Sequence, residues 1–177
     1  MDSITLLREA LRGAHQYLDA TMADVTSEQA QWMPPGKATP IGANYIHLVQ
    51  TEDWIVNEVL RQREMLGKGE WADKLGASES QPASPWEEAE YFAWSRRVQL
   101  DLATLREYAQ AVYAASDEYI ASLKPEDLDR MVDLSGAGEE PVTLAWVLAR
   151  YLAGHADNIC GEVSCMKGMQ GARGYAE

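Results

Sequence analysis

HADNICGEVSCMKGMQG, residues 155–171, reads as the polar-studded end of a long helix that closes in glycines, as helix C-termini tend to do. Advancing about 100° per residue puts Leu144, Leu148, Tyr151, His155, Asn158, Ile159, Glu162, Met166 and Met169 on one stripe, the face a packed helix buries. A buried polar group without a partner costs about 1–3 kcal/mol. His155, Asn158 and Glu162 on that stripe therefore need partners from other helices, a ligand or water, which makes this helix the candidate site.

The rest of the chain supplies helices to face it. Helix 1 is expected from Ser3, as N-cap, to about Ala23, with Ile4, Leu7, Leu11, Ala14, Leu18 and Met22 on one face and His15 at its edge. Asp24 to Pro40 holds Pro34, Pro35, Gly36 and Pro40 and reads as a long connection without helix, with Trp32 against the bundle. Helix 2 is expected from Ile41 to about Leu66, with Glu52 in the middle of its inner stripe and His47 offset towards Asn44, Thr51 and Trp54. Gly67 to Ser84 is loop-like. Ser84, Pro85, Glu87 and Glu88 then start helix 3, which continues through Ile120 and stops before Lys124, with a bend near Ser95 to Arg97. The third connection, Pro125 to Pro141, holds a turn or small hairpin at SGAGEEP, and helix 4 runs from about Val142 to Met169.

No period-two run of strand length and no internal repeat is present, so the fold class is all-α, a four-helix bundle in a single domain over residues 1–177. Long first and second connections favour a crossover between parallel neighbours over simple up-down-up-down order.

The chain has 177 residues, enough for one buried core without a disulfide or metal staple. Its formal net charge of -13 opposes nucleic acid and anionic membranes, both of which need a basic face. Cys160 and Cys165, five apart on one helix, point away from each other and cannot bridge. With an N-terminus that lacks an apolar signal segment, this predicts a cytoplasmic protein. In a helix interior without a neighbouring cation, both cysteines read as small apolar residues rather than nucleophiles.

Inward-facing histidines on different helices are how a bundle core holds a metal, and His15, His47 and His155 are the only three in the chain. At about 1.5 Å of rise per residue, His15 and His47 fall at one level of the bundle. His155 joins them if helix 4 runs with helix 1. The bland alternative is that each simply donates to a nearby oxygen.

His47 early in helix 2, Glu52 shortly after it, and HADNICGEV with KGMQG in the last helix together resemble the DinB-like superfamily, and the likeness spans the chain. That family's signature is one His early in the second helix and a last helix reading His-x-x-x-His-x-Gly-Gln/Glu-Ile, which His155, Gly161, Glu162 and Val163 match. The resemblance implies a bacterial four-helix bundle of up-down-down-up topology, a homodimer, with three side chains holding zinc or nickel. Related members include thiol-dependent transferases and isomerases. By this resemblance His47 and His155 are metal ligands; from the residues themselves His15 is a possible further ligand, and Glu52, Asn158, Ile159, Glu162, Tyr151 and Trp54 are expected in the pocket.

One departure weakens that expectation. The second helix-4 ligand of the family falls at Ile159, which has no donor atom. Asn158 is a weak ligand, Cys160 points about 100° away, and Glu162 lies about 10 Å along the axis from His155. Two functions follow. One is a divalent-metal-dependent enzyme acting on a small-molecule or thiol substrate by transfer or hydrolysis. The other is a non-catalytic member with a degenerate metal site, serving as a small-ligand-binding or dimerisation module.

Overall fold

A computed structural model describes residues 1–82 and 88–176. The expected helix start at Ser84, Pro85 and Glu87 lies outside the described residues. Helix α1 spans Ser3–Met22, and its N-cap is Asp2 rather than Ser3: the Asp2 carboxylate accepts from the Thr5 amide at 2.8 Å. A short helix α2, Ser27–Gln31, occupies part of the connection expected to hold none. The prolines begin only at Pro34, leaving room for one turn, and Thr26 with Gln29 closes it in a capping box. Trp32 packs against the core, as expected.

Helix α3 spans Ile41–Asp53 and continues as a π-helical segment, Trp54–Leu60, so this helix stops six residues before the expected Leu66. Asp53 gives the reason. Its buried carboxylate accepts from the Leu66 and Gly67 amides at 3.0 and 2.8 Å, from Asn57 Nδ2 at 2.7 Å and from Tyr108 Oη at 2.6 Å. The chain must fold back for those two amides to reach it, and Gln62 takes a left-handed φ of 53° in the reversal.

The expected third helix is divided into α4, Glu88–Ser95, and α5, Leu102–Ala121, with the interruption where a bend was expected. Between them the chain pairs with the preceding loop. The Asp101 amide donates to Gly76 O at 2.7 Å, and the Ser78 amide to Gln99 O at 2.9 Å. Gly76, at φ +74°, is required there, because a Cβ would come within 2.6 Å of Asp101 O. Asp101 then caps α5.

The small hairpin is present: β1, Met131–Val132, pairs antiparallel with β2, Val142–Thr143. Val142 is thus in a strand and not in helix 4. Thr143 caps α6, Leu144–Trp146, which runs through a π-helical segment, Val147–Ala153, into α7, Gly154–Met169.

α1 and α3 each pack against both α5 and α7. Two core clusters order the ends. One joins the N-terminal part of α1 to Ile55, Val56, Ile120 and Leu148; the other joins Leu18 and Met22 to Tyr45, Leu105, Val163 and Met166. α1 and the last helix therefore run one way along the bundle, and α3 and α5 run the other. His47 and His155 come close at one side of this frame, while His15 and Glu52 meet inside it.

Candidate functional site

The π-helical segment just before His155 sets which side of α7 faces inward. Each i→i+5 turn takes in one more residue than an α turn, so the stripe counted from Leu144 slips by roughly 100°. The buried face of α7 is Ala156, Ile159, Cys160, Val163, Met166 and Lys167. His155 is half-buried on its flank, and Asn158 and Glu162 are exposed. The single stripe expected to bury His155, Asn158 and Glu162 is corrected accordingly: these three share a flanking face.

On that flank the structure brings His155 against His47, with ring centroids 5.3 Å apart and planes at 75°. Tyr91 of α4 meets His47 edge-on at 5.4 Å, and Gln81 Oε1 faces His47 Nδ1 at 3.4 Å. A neutral His47 that donates from Nδ1 presents Nε2 as its lone pair. His155 Nδ1 is buried and finds no hydrogen-bond partner among the described residues. Burial, then the neighbouring His47, then Arg150 lower the His155 pKa to about 4. Burial likewise lowers that of His47, against the Gln81 contact. Both rings are neutral at physiological pH.

Glu162, two turns along α7 from His155, accepts from Asn44 Nδ2 at 2.8 Å. Desolvation outweighs this bond and raises its carboxyl pKa. Burial first, and then the Glu162 charge, raise the Tyr91 hydroxyl. The result is a rim of hydrogen-bonding groups, Asn44, Gln81, Tyr91 and Glu162, around two neutral imidazoles. Asn44 lies on the flank of α3 to which His47 points. Tyr91 and Gln81 belong to a helix and a loop whose docking no periodicity in the sequence signals.

His15 and Glu52 form a separate site. His15 Nε2 donates to Glu52 Oε2 at 2.8 Å, and Ser116 Oγ donates to Glu52 Oε1 at 2.6 Å. The His15 ring stacks on Tyr113 at 3.6 Å. His15 is thus engaged as an internal donor, and Glu52 is its carboxylate partner. Trp54 and Tyr151 are half-buried against the other core cluster, Trp54 over Gly136 and Tyr151 edge-on to Trp146.

The residues present do not fit a three-ligand metal centre. Ile159 is only 4% exposed within the core cluster, where the third ligand was expected. Among the described residues no three His, Cys, Asp or Glu side chains converge closely enough to hold an ion. Cys160 is buried, its thiol pKa raised by that burial, and its Sγ lies 3.5 Å from Thr21 Oγ1. It is poorly suited to thiolate chemistry.

The family model of the DinB superfamily matches residues 10–158, a span that ends one residue before Ile159. No curated protein matches the sequence. Among solved structures, a conserved protein from Enterococcus faecalis is similar, at 22% identity and a TM-score of 0.75, covering 94% of this chain and 96% of that one. Among the described residues no helix is long and apolar enough to cross a membrane.

Proposed function

This chain belongs to the DinB superfamily, and we propose that within it the protein has a metal site reduced to a two-histidine pocket, which binds a small polar ligand through neutral imidazoles. The observation that carries this reading is Ile159. An apolar side chain packed in the core takes the place of the donor that two imidazoles need to hold an ion tightly. The pair itself is intact and desolvated, and His155 Nδ1 is a buried polar atom without a partner among the described residues. Such an atom is offset when a ligand supplies the missing hydrogen bond. The amides of Asn44 and Gln81, the Tyr91 ring and the Glu162 carboxylate supply orientation around it.

Metal analysis of tag-free protein equilibrated with micromolar zinc or nickel tests the reading. The expected result is metal well below stoichiometry, together with imidazole shifts of His47 and His155 when small polar compounds are screened by NMR. Stoichiometric metal that is lost in His155→Ala would overturn it in favour of a metal-dependent transferase or hydrolase.

A further inference from the structure

A second cleft, of about 250 Å³, opens between α1 and α5 on the side of the bundle where His15 lies. Its two ends carry opposite charge. At one end Arg8 donates through Nε and Nη2 to Asp117 at 2.7 and 2.7 Å, and Arg12 Nη2 donates to the same carboxylate at 2.8 Å. Two guanidiniums on one carboxylate leave a surplus positive charge, and each guanidinium keeps N–H groups that Asp117 does not use. At the other end Asp19 accepts from Gln110 Nε2 at 2.7 Å through one oxygen. Burial raises the Asp19 carboxyl pKa against the lowering by Gln110, His15 and Arg106, the mark of a carboxylate short of solvent.

The spacing between the ends is set by the helices. From Arg12 to Asp19 and from Gln110 to Asp117 is seven residues each way, two turns or about 10.5 Å of rise. Between them the cleft is lined by His15 and Tyr113, whose rings stack at 3.6 Å and form an apolar wall. Glu52 holds His15 by Nε2, leaving Nδ1 as the remaining ring nitrogen. Tyr113 is 7% exposed, and its hydroxyl interacts with that of Tyr45.

The geometry points to a binding site for a small linear molecule with an anionic group at one end and an ammonium at the other, of the ω-amino-acid class. The anion lies across Arg8 and Arg12, the chain runs past His15 and Tyr113, and the ammonium meets the free oxygen of Asp19. A ligand with only one charged end leaves the opposite clamp unanswered. This site shares no residue with the His47–His155 pocket, so its fate is independent of the function assigned there.

The test follows the imidazole resonances of the three histidines in the intact chain by NMR while 4-aminobutyrate is titrated in, with butyrate and butylamine as one-ended controls. Saturable shifts of His15 are expected for 4-aminobutyrate, with affinity weakened at least about tenfold in Asp19→Asn, in Arg12→Gln and for either control. Circular dichroism verifies that both variants fold, and both positions lie at the cleft rim rather than in the core. Shifts on His155 instead of His15, equal binding of a one-ended control, or no saturable response up to about 10 mM would each overturn the assignment.

Discussion

His15 of α1 and Glu52 of α3 join two helices that pack mainly against α5 and α7 rather than against each other, through a single hydrogen bond of 2.8 Å with both side chains buried. Ser116 of α5 completes the carboxylate's set at 2.6 Å. The pair therefore ties three helices together at one level, and its removal acts on the whole bundle.

Glu52→Ala leaves a buried imidazole and a buried hydroxyl without their acceptor. Each buried polar group left without its partner costs about 1–3 kcal/mol. Urea denaturation monitored by far-UV circular dichroism should show a loss of that order. A loss below about 1 kcal/mol would mean that water readily replaces the carboxylate.

His155 should stay neutral well below the ordinary histidine range. Its folded pKa of about 4 lies under the unfolded value, so as pH falls the unfolded chain takes up the proton first. The stability contributed by the neutral ring is complete above about pH 6.5 and is lost as pH falls from there towards about 4. An NMR titration of the imidazole protons reads this directly; a midpoint near the ordinary value would refute the desolvated placement.

Ile159→His returns a donor to the position four after His155. The apo variant should be less stable by about 2–4 kcal/mol, since an imidazole replaces an apolar group in the core. Zinc should raise its melting temperature while leaving that of the unaltered protein unchanged. No zinc effect in the variant would show that position 159 does not face the histidine pair.

Asp53→Ala removes the acceptor of four hydrogen bonds, two of them from the amides of Leu66 and Gly67. Hydrogen bonds to charged groups contribute about 1.5–3 kcal/mol each, though not additively, so a destabilisation of about 3 kcal/mol or more is expected. Hydrogen exchange should show the two amides losing protection first. Unchanged protection there would contradict the role of Asp53 in folding the loop back.

Much of the bundle was legible because helical periodicity is a local property. The apolar face of α1, the interruption near Ser95 and the hairpin before the last helix all follow from spacing, caps and breakers within a few residues. The end of helix 2 did not. Leu66 and Gly67 look like a continuing helix and its stop until the Asp53 carboxylate, thirteen residues away, claims the Leu66 amide.

At the site, His47 and His155 were readable as candidates from the residues in order, and the tertiary structure brings their rings together. The facing direction of α7 was not, because the π-helical segment Val147–Ala153 changes phase in a way no side-chain pattern announces. The partnership of His15 with Glu52 was equally hidden, since both fit a metal site as well as they fit each other.

The sequence by itself determined the all-α class, the family likeness and an isoleucine at position 159, since these depend on residue type and short-range spacing. The tertiary structure alone decided which polar groups meet: His47 with His155, Glu162 with Asn44, and Glu52 with His15. The physical reason is that hydrogen bonding and desolvation are pairwise and fall off within a few ångströms. A side chain's chemistry is therefore fixed by neighbours far away in the chain, as Glu162 is from Asn44, 118 positions distant.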